Sequence, residues 1–334
     1  VTADRAHPDV SAALDRAATV IGSASSVVLA CHVKPDGDAL GSMLAMHHVL
    51  RAADRVSTAS FPSPFVVAPH YREMPGLDLL VDPSAVPREP EVMVTFDCGS
   101  PARLGDLEPV AAAAGELVVI DHHLSNRAFG SVNVIDPDAA STGSVVHQLI
   151  ERMGLPLNRQ AAVCLYTALV CDTGRFQYES TNAEVFELAR ELVEFDVPVT
   201  RLSRQLFEEH RFAYLRLLGD ALTRAELIPE ERFVWTAVRR RDFDHFAVDL
   251  DEVEGLIDIL RRTVEADVAC VLKQDLDVVR VSLRSLGDAD VRQVAEAEGG
   301  GGHRYAAGFE STDPVDEIVA RIRSHLREVR ASGR

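Results

Sequence analysis

The chain is poor in lysine, cysteine, long apolar runs and net positive charge, and each shortage excludes something. Only Lys34 and Lys273 are lysines among 34 basic residues, a bias of coding composition rather than of mechanism. The five cysteines, Cys31, Cys98, Cys164, Cys171 and Cys270, are odd in number and form no C-x-x-C. That argues against a disulfide framework and a thiolate zinc site, and reduced thiols fit a cytoplasmic protein. The most apolar stretch, Ala161 to Cys171, is interrupted at Thr167 and falls well short of the ~20 residues of a membrane span. Val1 to Val20 has no basic-then-apolar signal pattern. With 52 acidic residues against 34 basic ones the formal net charge is −18. Such a surface repels a long phosphate backbone, so long nucleic acid and membrane are not expected partners. Phosphates handled by this chain should be small and held where local positive charge outweighs the global field. What is present is ordinary globular material: 334 residues, 47% hydrophobic and 26% charged. That is enough for about two domains, each with its own core.

Three short β-branched runs read as buried parallel strands: Val27 to Ala30, Val92 to Phe96 and Leu117 to Ile120. Helical patterns lie between and around them, such as Leu40 to Ala53 and Arg103 to Ala114. This alternation predicts α/β architecture with a doubly wound, mostly parallel sheet. Helices follow from Ala139 to Glu194, with Ala161 to Cys171 apolar all round and hence buried. The expected division is a first domain over residues 1–195, a connector over 196–216 and a smaller α/β domain with a mixed sheet over 217–334. In the second domain Arg232 to Val238, Val268 to Leu272 and Val278 to Leu283 are the candidate strands. The last alternates, with Val279, Val281 and Leu283 on one face and Arg280, Ser282 and Arg284 on the other. An amphipathic helix from Pro314 to Val329 closes the chain.

Each strand of the first domain ends in an acid or an imidazole: His32, Asp97, and Asp121-His122-His123. In an open parallel sheet the carboxyl ends of the strands are where ligands bind. One such ending is a helix cap, but several together with histidines form a site. Adding Asp36, Asp38 and Asp172 gives imidazole and carboxylate donors without thiolate, a set that suits Mn²⁺ or a similar ion. Facing aspartates cannot all stay ionised without cations between them. His47-His48, inside a helix with no acid before it, reads as structural.

The segments HVKPDGDALGS, the lone Asp97, DHH and DTGRF resemble, in order, the four motifs of the DHH phosphoesterase superfamily. The resemblance implies two divalent metal ions, Mn²⁺ preferred, with a bridging hydroxide as nucleophile. One metal would take His32, Asp36 and Asp97, and the other Asp38, Asp97, His122 and Asp172. His123 would contact the scissile phosphate or protonate the leaving oxygen, with Asp121 orienting a histidine ligand of a metal from behind. Arg103 lies in a further stretch similar to the family's. It reads both as the start of a helix capped by Ser100 and Pro101 and as a phosphate contact. Asn126 and Ser141-Thr142 read as turn and cap residues.

Gly299-Gly300-Gly301-Gly302-His303 followed by Ala306-Ala307-Gly308 resembles the GGGHxxAAG block of the DHH-associated substrate domain. Glycines let backbone N–H groups approach an anion. By resemblance Gly301, Gly302, His303 and Arg284 would bind substrate, with the active site in the cleft between the domains. The length points to the compact NrnA-like nanoRNase branch. That implies a hydrolase of short oligoribonucleotides, of dinucleotides including cyclic di-AMP or its linear product, and of 3′-phosphoadenosine 5′-phosphate. Inorganic pyrophosphatase or polyphosphatase activity and single-strand exonuclease activity are the alternatives. The pyrophosphatase branch expects a Ser-Arg-Lys motif, yet no lysine follows Lys273. A homodimer is left open.

Overall fold

The computed structural model describes residues 10–332; residues 1–9 of the stretch read for a signal lie outside the described residues. The chain divides into two compact units, Val1–Glu209 and His210–Arg334.

In the first unit α1 (Val10–Ser23) leads into β1 (Ser26–Cys31), α2 (Gly37–Ala52) and β2 (Val56–Ser60). Next come β3 (Val92–Phe96), α3 (Glu108–Ala112), β4 (Glu116–Asp121) and β5 (Val132–Ile135). Helices α4 (Thr142–Arg152), α5 (Arg159–Asp172), α6 (Ala183–Val193) and α7 (Val199–Phe207) complete it. The strands form one sheet in the order β2-β1-β3-β4-β5, every neighbouring pair parallel. β3 is buried at every position, Thr95 included, as a central parallel strand covered on both faces should be. The strand order reverses beside β1, so the carboxyl ends of β1 and β3 form the switch point at which such sheets bind ligands. Helices α2 and α5 approach closely because Gly41 faces the Cys164 carbonyl, where a Cβ would collide.

One expectation changes. Arg103 to Ala114 is not one helix: a 3₁₀ segment, Pro101–Leu107, precedes the short α3. Gly105, at φ 49° and ψ −125°, breaks the run, and Pro109 in the first turn of α3 has no N–H to continue it. Ser100 precedes that segment without a side-chain cap bond. The 196–216 stretch, read as a partly helical connector, does carry helix. It contains α7, whose Leu202 is buried and whose Gln205 donates to the His70 carbonyl at 2.9 Å. The division therefore falls at Glu209 and His210.

The second unit runs α8 (Phe212–Thr223), β6 (Glu226–Ile228), β7 (Phe233–Val238), α9 (Arg240–Phe246), α10 (Leu256–Leu260), β8 (Val268–Asp275) and β9 (Val278–Ser285). It ends with α11 (Val291–Ala297), β10 (Gly301–His303), β11 (Ala306–Ser311) and α12 (Val315–Ser332). The sheet order is β10-β11-β9-β8-β7-β6, parallel only between β7 and β8. Val279, Val281 and Leu283 are buried beneath α11 and α12, on the face the alternation assigned to the core. On the opposite face Lys273 is buried in an ion pair with Glu254. Among the described residues no helix is long and apolar enough to cross a membrane.

Candidate metal centre

The first-unit site is assembled from strand ends and helix starts. His32 follows β1; its Nδ1 lies 2.9 Å from the Val33 carbonyl, which turns Nε2 toward Asp97 Oδ2 at 3.4 Å and Asp36 Oδ2 at 3.8 Å. Asp36 is also the N-cap of α2, accepting from the Ala39 N–H at 3.0 Å. Asp38, in the first turn of α2, is buried. Asp97 leaves β3 with a left-handed φ of 56°, a conformation that costs energy in a non-glycine residue and here aims a carboxylate into the site. His122 Nδ1 lies 3.2 Å from the Ala139 carbonyl, and its Nε2 reaches Asp172 Oδ2 at 3.1 Å, Asp97 Oδ1 at 3.8 Å and Asp38 Oδ2 at 3.9 Å.

Among the described residues three donor trios include Asp97, and two of them, His32-Asp36-Asp97 and Asp38-Asp97-His122, share it without Asp121 or His123, the donor atoms of each lying within 4.8 Å of one another. Imidazole nitrogen and carboxylate oxygen without thiolate fit a first-row divalent cation, and the fixed Nδ1 of each histidine leaves Nε2 as the donor.

Beside the trios lies a hydrogen-bonded group centred on Asp121. His123 Nδ1 is 2.7 Å from Asp121 Oδ1, which also accepts the backbone N–H groups of His122 at 2.8 Å and His123 at 3.1 Å. Asn126 Nδ2 donates to the other oxygen, Asp121 Oδ2, at 2.6 Å and to the Cys98 carbonyl at 3.2 Å. The ring that Asp121 orients is thus that of His123 and not one of the histidines read as metal ligands, since His122 Nδ1 is taken by the Ala139 carbonyl.

Charge sets the protonation states. Burial alone would lower the histidine pKa values, but carboxylate neighbours win. Asp36 and Asp97 hold His32 up to about 9, Asp172 holds His122 up to about 10, and Asp121 and Asp97 hold His123 up to about 11. Burial and the charges of Asp97 and Asp172 push Asp38 well above the usual carboxylate range. Asp97 goes the opposite way: burial opposes it, yet hydrogen bonds from His123 and His32 hold it well below. His47, the control, is buried against Ser57 Oγ at 2.9 Å and pushed down to about 4 by burial and the Arg51 charge.

Arg103 is exposed, and its positive charge opposes protonation of His32 from nearby. In the second unit the register aligns Arg284 on β9 with Ala306 on β11, and Ala306 with His303 on β10. All three therefore share one sheet face. Arg284 Nη1 donates to the Leu283 carbonyl at 3.1 Å, and its Nε lies 3.8 Å from Asp258 Oδ1. Gly302, at φ 135°, pairs with Ala307, and a Cβ there would meet the Ala306 carbonyl at 2.5 Å. Gly301 pairs with Gly308 and would have nothing within 4 Å of a Cβ.

Sequence reasoning passed over two site residues. Thr142 Oγ1 donates to Asp97 Oδ1 at 2.9 Å, and Asn126 braces Asp121. Of the residues that read as cap or turn, Ser141 does cap α4 and Asn126 Oδ1 accepts from Ala128 N–H, while Thr142 is the first residue inside the helix and makes no cap bond. The available signal was the position of Thr142 at the start of a helix, where N–H groups seek an acceptor.

A parallel sheet that gathers buried imidazoles and carboxylates at its switch point, with one carboxylate common to two donor trios, defines a metal-site α/β protein. The chain belongs to the DHH family: residues 26–169 match the model described as DHH family, N-terminal domain, and residues 232–328 match the DHHA1 domain. A relative from Thermus thermophilus, named bifunctional oligoribonuclease and PAP phosphatase NrnA, is 30% identical over 310 residues, 90% of this chain and 89% of its own length. That name falls in the enzyme class expected from the motifs. An exopolyphosphatase-related protein from Bacteroides fragilis superposes with a TM-score of 0.88 at 27% identity, covering 95% of this chain and 96% of that one. RecJ from Thermus thermophilus, solved with Mn²⁺, shares the fold at TM-score 0.57 and 16% identity, over 95% of this chain and 55% of its own.

Proposed function

We propose that this chain hydrolyses short phosphoesters: oligoribonucleotides a few residues long, dinucleotides including cyclic di-AMP or its linear product, and 3′-phosphoadenosine 5′-phosphate. The observation that carries the reading is Asp97, whose carboxylate belongs to both ligand trios. His32, Asp36 and Asp97 would hold one divalent cation and Asp38, Asp97, His122 and Asp172 a second, Mn²⁺ being preferred over Mg²⁺ because imidazoles are among the donors. Two such cations would supply Lewis acidity toward the phosphoryl oxygens and toward water. Asp121 keeps His123 protonated and oriented, and the imidazolium delivers a proton to the leaving oxygen. Arg103 binds a phosphate oxygen beside the first unit's site. Arg284, Gly301, Gly302 and His303 bind the remainder of the substrate, the guanidinium steadied by Asp258. The net charge of −18 offers little attraction to a long strand. Five free thiols, four of them buried, accord with a cytoplasmic setting.

The test is a parallel assay, with Mn²⁺, of the nucleoside bisphosphate, linear and cyclic dinucleotides, RNAs of increasing length, pyrophosphate and polyphosphate. Turnover should fall as RNA lengthens and vanish in excess chelator. The exopolyphosphatase-related likeness motivates the second reading, and preferential turnover of polyphosphate or pyrophosphate would establish it instead. Long RNA degraded as fast as dinucleotides would make the chain an exonuclease.

A further inference from the structure

Asp97 can serve two trios only at one rotation of its carboxylate, and that torsion is intrinsically soft: an aspartate χ2 has a broad preference. The rotation must be set from outside the residue. Thr142, the fully buried first residue of α4, is placed to set it. Its hydroxyl donates to Asp97 Oδ1 at 2.9 Å, on the side of Asp38 and His122, while Asp97 Oδ2 faces His32 Nε2 at 3.4 Å. His123 Nδ1 is also 3.4 Å from Oδ1 but is engaged more closely by Asp121 at 2.7 Å. The same helix start fixes Asp38: Thr142 N–H donates to Oδ2 at 2.7 Å and Gly143 N–H to Oδ1 at 2.9 Å. The start of α4 is itself pressed into place, since a Cβ on Gly143 would lie 2.6 Å from the Ala168 Cβ and 3.4 Å from Asp38 Oδ1.

We propose that Thr142 is a positioning residue that sets the plane of the Asp97 carboxylate so that its two oxygens address the two trios separately. The inference rests on the divalent-cation reading above. Removing the hydroxyl leaves the backbone clamp on Asp38 intact and frees Asp97 to rotate, so both cation positions weaken together.

The experiment uses the full chain, stripped with chelator and titrated with Mn²⁺ alone by calorimetry, alongside melting curves without metal. Thr142→Val should weaken Mn²⁺ binding by roughly 10- to 100-fold, the usual effect of losing a partner that orients a metal ligand. Thr142→Ser, which keeps the hydroxyl, should restore it to within about threefold. Should the valine variant melt early, Thr142→Ala removes the hydroxyl without bulk and takes its place. Wild-type affinity in the valine or alanine variant, or a serine variant as weak as they are, overturns the role of Thr142. An unmodified chain that binds no Mn²⁺ overturns the cation reading itself.

Discussion

His32, His122 and His123 hold their protons far into the alkaline range because carboxylates surround them, with pKa values of about 9, 10 and 11. In an unfolded chain the same imidazoles titrate near 6.5. Between these limits the folded chain binds more protons than the unfolded one. The stabilisation is complete below about 6.5 and is lost as pH rises through about 9 and beyond. Chelated protein should therefore melt at progressively lower temperature from pH 7 to pH 9. Mn²⁺ affinity should climb over the same range, because a bound cation displaces those protons. Melting curves and Mn²⁺ titrations at each pH read both trends, and a melting temperature that rises with pH would contradict the imidazolium-carboxylate pairing. His47 titrates in the opposite direction, which is what separates a structural histidine from a ligand: no carboxylate accepts from it, and burial keeps it neutral.

Helices α2 and α5 deliver Asp38 and Asp172, so their spacing is part of the site. Gly41→Ala would drive a methyl into the Cys164 carbonyl and to 3.0 Å from the Ala168 Cβ. We expect a loss of roughly 1–3 kcal/mol from overpacking and weaker Mn²⁺ binding with it. Gly219→Ala in α8, where a Cβ would meet nothing within 4 Å, should instead gain up to about 1 kcal/mol. Denaturant titration of the two variants separates close packing from helix propensity. Such spacing is also where sequence stops being readable. The buried strands of the first unit and the alternation of β9 could be read directly, because a two-residue period and an apolar run report burial locally. The break at Gly105 could not, since it depends on a backbone angle rather than a side-chain pattern. Nor could the docking of α7 through Gln205, a single contact with a carbonyl 135 residues away in sequence. The bond from Thr142 to Asp97 escaped notice for a related reason, since the two residues are 45 apart in sequence, while Asn126 satisfies a local turn rule that hid its hold on Asp121.

At the scale of the whole molecule, positive charge is carried almost entirely by arginine, and the two lysines have opposite fates. Lys273 lies inside the second unit, 2% exposed and paired with Glu254, where burial lowers its pKa but leaves no approach. Lys34 is exposed, in a left-handed turn at φ 51° between His32 and Asp36. An amine-directed reagent used on the folded protein should thus modify one internal lysine, Lys34, with Lys273 reacting only after denaturation, as peptide mapping would reveal. Labelling of Lys273 in the native state would mean that its pair with Glu254 opens. The burial of one lysine and the scarcity of others give this chain a chemical address two residues from His32 and from Asp36, both proposed above to hold a cation. A fluorophore or spin probe could be attached there without engineering the sequence, and its signal would report directly on cation binding.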